Sequence, residues 1–565
     1  MPPPPGPMEV DAVTDTQGVT IPDPLTRPIR SNEILGRRKA PPKTQWGVAA
    51  AAHSSSFRQG PSEGKPKARR WDHRFTEESL ARKGSQLKGA AKYLGNPGLI
   101  SLGGGLPSSE YFPFSELSLK LPVPGHFEGT DFDAHATTVS AGKHDLAQGK
   151  SIFDIATAFN YGQGTGAAQL LRWLTEHTEL VHRPPYADWA CTMSVGATSA
   201  FDMALRMFTR PGDAILSEEF TFASALDTAT PMGLHVVGVS MDQEGLLPDS
   251  LDAILSGWDP AARGGASKPF ILYTVPTGQN PTGATQSARR RRDIYRVARE
   301  HDLFILEDEP YYFLQMQPYV GTGAREQRQA PPPPRSHDEF LASLVPSYLS
   351  MDTDGRVMRM DSFSKVVAPG SRVGWITASE QVVEKYKMHA DVSTQCPSGM
   401  SQLILFKLLE EHWGHGGYLD WLIHLRLEYT GRRDNILEAC EKYLPKEVVS
   451  WVPPAAGMFH WMRIDYAKHP RYPAKSVTQL EDELFMASIA HGSLVMRGSW
   501  FLTDRSVEPD QLFFRATYAA APADKIQEAI RRFGEALRES FGLEGGGGGG
   551  GEANGSKSVA NGNGV

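Results

Sequence analysis

Short apolar runs alternate with stretches of helical periodicity through the middle of the chain. Residues 198–208 repeat apolar side chains on one helical face, and residues 287–301 predict a second helix. Apolar runs of strand length lie around these stretches, at 214–216, 235–239, 269–275 and 303–307. This alternation predicts an α/β fold with a doubly wound, largely parallel sheet, which binds its ligands beyond the strand ends.

The pattern changes after residue 398, where long helical stretches dominate. Helical periodicity covers 418–443, and strands of antiparallel type are predicted at 457–464 and 512–518. A smaller α+β domain is therefore expected beside the large one. The expected division is a large domain at 121–398 and a small domain built from two segments, 73–120 and 399–542.

Both ends of the chain are poor in patterned apolar residues. Residues 1–72 are rich in Pro, Ala, Ser and Gly, and residues 543–565 contain a glycine run. Such segments bury too little apolar surface to offset their ordering entropy, so both are expected to be disordered. Two insertions, at 121–150 and 321–337, are expected to be surface loops that can line the site entrance.

Composition narrows the functional classes. The 565 residues carry a net charge of -7, which argues against a nucleic-acid partner, and no apolar window is long enough to predict a membrane span. The arginine run 289–292 is interpreted as a solvated helix face. The three cysteines lie far apart, so no disulfide or metal site is predicted. We expect a cytoplasmic protein, with mitochondrial import as the alternative suggested by Arg- and Ser-containing residues 27–70.

A lysine lies in a loop of small residues between two predicted strands. The sequence Ser362-Phe363-Ser364-Lys365 is followed by Gly-Ser-Arg at 370–372, with apolar runs on both sides. A strand-end lysine among hydroxyls and near an arginine can lie beside an anionic ligand. There it can form a Schiff base with a carbonyl cofactor.

Other polar motifs also follow or interrupt apolar strands. Asp308 ends one strand, and Tyr311 follows three residues later in the run Glu-Asp-Glu-Pro-Tyr-Tyr. Asn280 lies in Gln-Asn-Pro-Thr-Gly after the preceding strand, and Arg515 interrupts the apolar run Leu-Phe-Phe-Arg-Ala-Thr-Tyr. Alternation of side chains along a strand predicts that Glu307 and Glu309 point away from Asp308.

Taken in this order, the motifs resemble the fold-type I aminotransferases that use pyridoxal phosphate (PLP). The similarity is strongest to the kynurenine/α-aminoadipate and fungal aromatic aminotransferase branch, which also carries a segment like Ile-Ser-Leu-Gly-Gly-Gly-Leu-Pro at 100–107. The resemblance covers residues 75–540. It implies the PLP-dependent transferase fold, a homodimer, and amino acids and 2-oxo acids as small-molecule partners.

The resemblance also implies a role for each motif. Lys365 would bind PLP covalently and carry the Cα proton, while Asp308 would pair with the pyridine nitrogen. Tyr311 and Asn280 would contact the phenolic oxygen of the cofactor. Arg515 would clamp the substrate α-carboxylate, a task that suits a planar guanidinium. Asn280 and Gly104 would complete this substrate site.

The cofactor phosphate needs backbone donors and a cation. The N–H groups of Ala197 and Thr198, at a predicted helix N-terminus, would supply the donors. Phe222 would stack on the cofactor ring, where the family often has tyrosine, and Tyr161 would reach the phosphate across the dimer interface. The loop that carries the lysine would add three more side chains, those of Ser362, Ser364 and Arg372.

The activity implied is a ping-pong transamination. The amino group of an aromatic amino acid, kynurenine or 2-aminoadipate would pass to an oxo acid such as 2-oxoglutarate, in aromatic amino-acid turnover or lysine synthesis. Two alternatives remain open at this stage. One is another PLP reaction on the same fold, such as decarboxylation or formation of a cyclopropane. The other is a PLP-sensing transcriptional regulator, although residues 1–72 lack the helices of a DNA-binding domain.

Overall fold

A computed structural model describes residues 30–38, 46–50, 52–90, 93, 96, 98–321 and 332–543. Its strands, numbered in chain order, are β1 Glu116–Leu121, β2 Thr137–Gly142, β3 Trp189–Ser194, β4 Ala214–Glu218, β5 His235–Val239, β6 Met241–Asp242, β7 Gly245–Leu246, β8 Ile271–Thr274, β9 Phe304–Asp308, β10 Val357–Ser362, β11 Gly374–Ser379, β12 Val449–Trp451, β13 Phe459–Ile464, β14 Met496–Arg497 and β15 Leu512–Thr517. Its α-helices are α1 Ile34–Arg37, α2 Glu77–Ala81, α3 Gln86–Ala90, α4 Gly129–His135, α5 Ile155–Ala158, α6 Ala168–Val181, α7 Gly196–Phe208, α8 Ala223–Ala229, α9 Pro248–Ser256, α10 Ala288–Glu300, α11 His337–Ala342, α12 Tyr348–Met351, α13 Glu380–Ala390, α14 Gly399–Phe406, α15 Gly414–Tyr443, α16 Val477–Ala490 and α17 Ala523–Phe541.

The main sheet has seven strands in the order β3-β11-β10-β9-β8-β4-β5. β11 pairs antiparallel with both of its neighbours, and the other pairings are parallel. Every residue of β9 and β10 is buried, as expected of central strands with helices on both faces. The predicted doubly wound, largely parallel sheet is therefore confirmed, and its carboxyl edge forms the floor of a site.

A second sheet, of order β12-β13-β15-β14, is antiparallel. It packs with α16, α17 and the end of α15 around a separate apolar core that includes Leu437, Phe514 and Phe533. The small domain begins later than expected. α14 and the first turns of α15 pack instead on the main core, because Leu405 and Tyr418 are buried there. Among the described residues, no helix is both long and apolar enough to cross a bilayer.

Residues 46–50 and 52–75 belong to the large domain, which corrects the expected division. Trp46, Phe57 and Trp71 are buried in the main core, so this part of 1–72 is ordered. Phe75 stacks on Phe208 of α7 with ring centroids 5.2 Å apart, which places it outside the small domain. A few widely spaced aromatic side chains bury enough apolar surface to hold the segment on the core, although its overall composition is poor in apolar residues. Within the expected disordered ends, residues 1–29, 39–45, 51 and 544–565 lie outside the described residues.

The first insertion is not a bare loop. Strand β2 within 121–150 pairs antiparallel with β1, and α4 connects the two strands. Strand pairing gives the backbone the hydrogen bonds that a long irregular loop would lack. In the second insertion, residues 322–331 lie outside the described part of the chain.

Candidate active site

Lys365 follows β10 in a loop that hydroxyl groups hold in place. Ser362 Oγ donates to Ser364 Oγ at 2.8 Å and accepts from the Ser364 N–H at 3.1 Å. Within the described residues, no group accepts a hydrogen bond from the Lys365 ammonium. Burial, and then the nearby Arg372 cation, lower the pKa of this lysine. A half-buried amine with a lowered pKa suits covalent binding and proton transfer.

Asp308 ends β9 beside the lysine strand and is buried. Its Oδ2 accepts a hydrogen bond of 2.8 Å from the Tyr273 hydroxyl, while its buried Oδ1 has no partner among the described residues. Burial raises the pKa of this carboxyl to about 6. A buried carboxylate oxygen without a donor is costly unless a ligand supplies one, and the protonated nitrogen of a pyridine ring fits that need.

Gly196 opens α7 and makes room for Arg372. The Arg372 guanidinium donates to the Val195 carbonyl at 3.3 Å and to Ser364 Oγ at 3.2 Å. A Cβ atom at position 196 would lie 2.2 Å from Arg372 Nη2, and the φ of Gly196 is +80°. The first-turn N–H groups of Ala197 and Thr198 have no partner within the helix. Free N–H groups, hydroxyls and a cation form a cradle that fits a phosphate.

Arg515 projects from β15 towards the loop after β8. Its Nη1 donates to Asn280 Oδ1 at 2.7 Å, and its guanidinium carbon lies 4.5 Å from the Phe459 ring centre and 4.6 Å from that of Phe501. Burial lowers the pKa of this half-buried arginine, and no carboxylate among the described residues pairs with it. Tyr311 is buried beside it, edge-on to Phe459. The cation is therefore oriented and available to a carboxylate ligand.

Three further expected contacts remain predictions. Phe222 follows β4, caps α8 and is half-buried, so it lies at the same sheet edge as the other groups. Tyr161 is 61% exposed, and Gly104 lies in an exposed segment.

A buried charge network lies beneath the site and corrects one interpretation. Arg291, expected on a solvated face, has a fully buried side chain that donates to Glu309 at 3.2 Å. Arg359 pairs with Glu307 at 3.1 Å and binds Asp361 through two hydrogen bonds of 2.8 Å. As predicted, Glu307 and Glu309 point away from Asp308. In β10, Arg359 and Asp361 alternate with Met358 and Met360, and this alternation was the available signal.

The site residues fit PLP at three independent points: a free lysine, an acceptor for the ring nitrogen and a phosphate cradle. The comparison with known proteins gives the same assignment. The family model "Aminotransferase class I and II" matches residues 130–533.

Relatives and solved structures extend the match beyond the family model. An aromatic amino acid aminotransferase of Schizosaccharomyces pombe is 44% identical, covering 83% of this chain and 98% of its own. The mitochondrial kynurenine/alpha-aminoadipate aminotransferase of Bos taurus is 31% identical, covering 83% and 99%. The crystal structure of aminotransferase Aro8 from Candida albicans is 42% identical, covers 85% and 100%, and superposes with a TM-score of 0.79. The chain therefore belongs to the class I and II aminotransferases, has their PLP-dependent transferase fold and is a PLP-dependent enzyme.

Proposed function

We propose that this aminotransferase takes its amino group from an aromatic amino acid, with kynurenine or 2-aminoadipate as further donors, and passes it to 2-oxoglutarate. The aromatic and kynurenine/aminoadipate relatives support this range of donors. The observation that carries the proposal is the setting of Arg515. Its guanidinium offers free N–H groups and lies over the rings of both Phe459 and Phe501. A carboxylate site bordered by aromatic rings suits a donor with an aromatic side chain.

Each residue has a defined task in this proposal. Arg515 binds the substrate carboxylate, and Asn280 holds the guanidinium at the required angle. Lys365 accepts the Cα proton at Nζ and gives it up again later in the half-reaction. Asp308 would keep the ring nitrogen protonated, and Tyr311 would contact the phenolic oxygen. When bound, PLP supplies a ring that accepts the electron pair left at Cα.

A donor panel tests the proposal. Glutamate formation from 2-oxoglutarate would be measured with phenylalanine, tyrosine, tryptophan, kynurenine and 2-aminoadipate, and with alanine and aspartate as comparison donors. We expect kcat/KM for the best aromatic donor to exceed that for aspartate by about tenfold or more, because aspartate adds a charge beside aromatic rings. A preference for aspartate or alanine would contradict the proposed donor class. Loss of carbon dioxide without amino transfer would favour the alternative PLP reactions.

The exposed residues before and around Tyr161 support a homodimer. Ile100, Leu102 and Tyr111 are 86%, 96% and 85% exposed, and such a group of exposed large side chains is typical of an interaction surface. A second copy of the chain would cover them. It would also bring Tyr161 to the partner's phosphate cradle.

Mixed dimers distinguish this arrangement from a site made by one chain. Tyr161→Ala and Lys365→Ala variants would be unfolded together and refolded as a mixture. If Tyr161 acts across the interface, a mixed dimer contains one intact site, and activity should rise above that of either variant alone. If Tyr161 acts within its own chain, both sites of the mixed dimer stay defective and no activity returns.

A further inference from the structure

We infer that Tyr273 is a positioning residue for the cofactor: its hydroxyl holds Asp308 as an acceptor and directs the carboxylate's free oxygen at the cofactor ring nitrogen. The inference rests on the proposed role of Asp308. Tyr273 lies in the middle of the apolar strand β8, and no sequence motif indicated a functional role for it.

The hydrogen bond between Tyr273 and Asp308 is the main evidence for this role. The ring lies on β8, the strand next to β9, and its hydroxyl donates to Asp308 Oδ2 at 2.8 Å. The side chain is only 1% exposed, so water does not compete for the hydroxyl. Oδ1 of the same carboxylate is buried and has no partner among the described residues. One oxygen is therefore fixed by the protein and the other is left for a ligand.

The ring of Tyr273 is itself held by the helix that builds the phosphate cradle. Phe201 of α7 packs on it with centroids 4.6 Å apart and a tilt of 51°. α7 begins at Gly196, where Arg372 crosses the backbone. The same helix thus sets the position of the phosphate at one end and of Asp308, through Tyr273, further along. Two anchor points of one cofactor are coupled by a rigid element.

Hydrogen-bond donation favours the ionised form of Asp308. Burial raises the pKa of Asp308, and the Tyr273 hydrogen bond opposes that rise. The pKa of Tyr273 lies well above its usual range, because of burial and then of Asp308, so the phenol remains a donor. Two charged groups on β10 also act on Asp308: Asp361 raises its pKa and Arg359 lowers it. The phenol of Tyr311 is the other titratable group that interacts with it.

The test compares two cofactors in two proteins. Apoenzyme dissociation constants would be measured for PLP and for 1-deaza-PLP, which has carbon in place of the ring nitrogen. The wild-type protein should prefer PLP, and Tyr273→Phe should reduce that preference about tenfold. PLP affinity should fall as Asp308 becomes protonated at acid pH. In Tyr273→Phe this fall should occur at a higher pH, because Asp308 would protonate more easily without its hydrogen-bond donor.

A matched control separates positioning from general stability. Tyr295 is a buried tyrosine whose hydroxyl donates to Asp352 at 3.0 Å, at the opposite end of the sheet strands. Tyr295→Phe should leave the cofactor preference unchanged. An unchanged preference in Tyr273→Phe would overturn the role of Tyr273. A wild-type protein without any preference would instead overturn the role of Asp308.

A second variant covers the case in which Tyr273→Phe does not fold. Difluorotyrosine at position 273 keeps the ring and makes the phenol a stronger donor. The preference for PLP over 1-deaza-PLP should then increase. A preference equal to that of the wild-type protein would contradict the inference.

Discussion

Arg515 in the small domain and Asn280 in the large domain are joined by a hydrogen bond of 2.7 Å between Nη1 and Oδ1. The bond connects β15 of the antiparallel sheet with the loop after β8 of the main sheet. It also uses one edge of the guanidinium and leaves the other N–H groups for a ligand. The substrate carboxylate would therefore bind where the two domains meet.

Arg515→Lys should weaken donor binding, because an ammonium group cannot make the paired hydrogen bonds of a guanidinium. We expect the donor KM to rise about 10- to 100-fold, the equivalent of about 1.5–3 kcal/mol for hydrogen bonds to a charged group. Steady-state kinetics with a saturating oxo acid would measure the donor KM of the variant and of the wild-type protein. Arg463→Lys, on the neighbouring strand β13 and exposed, is the control. Equal KM values for the two variants would argue against a carboxylate clamp.

Gly196→Ala should disrupt the phosphate cradle. The added Cβ would collide with Arg372 Nη2, and the positive φ of Gly196 disfavours alanine as well. We expect the PLP dissociation constant to rise at least about tenfold, since the phosphate would lose the arginine or the helix N-terminus. Gly212→Ala provides a control, because Gly212 has φ +92° and open space around its Cβ position. Comparable loss of PLP in both variants would attribute the effect to backbone strain alone.

Asp308→Asn should change the pH dependence of apoprotein stability. Burial raises the Asp308 pKa to about 6, whereas an unfolded aspartate titrates near about 3.9. Between about pH 4 and about pH 6, Asp308 therefore binds a proton more tightly in the folded state than in the unfolded state. The wild-type free energy of unfolding falls as pH rises across that window. The variant should be more stable than wild type above pH 7, by on the order of 3 kcal/mol, and similar near pH 4.

Urea unfolding of both apoproteins at pH 4 and pH 8 would measure this difference. Asp352→Asn removes another buried acid with a raised pKa, remote from the cofactor, and serves as the control for PLP binding. Asp308→Asn should also lose about 10³-fold in turnover while still binding PLP, because the ring nitrogen would no longer stay protonated. Wild-type turnover in this variant would remove the proposed role of Asp308.

The sequence predicted the groups that lie at strand ends, because each sits in a local motif with its own turn or helix start. Lys365 and Asp308 are of this kind. Tyr273 is not: its partner is 35 positions away, and its own strand is simply apolar. Arg291 was misread for a similar reason. The nearby Arg289 and Arg292 are exposed, whereas the carboxylates that allow the burial of Arg291 belong to Glu307, in β9, and to Glu309, directly after it.

The N-terminal segment shows the limit of composition as a guide. Trp46, Phe57 and Trp71 are too far apart to give a periodic pattern, yet each fills a space in the main core. Packing of this kind depends on the shape of the surface that receives the ring, which no short window of sequence contains.

The central claim is that Lys365 binds the cofactor covalently. Reduction of the holoenzyme with borohydride, followed by proteolysis and mass spectrometry, tests it most directly. We expect a phosphopyridoxyl group on the peptide that contains Lys365, and none in the Lys365→Ala variant. A label on another lysine, or an unlabelled protein that still transaminates, would contradict the account.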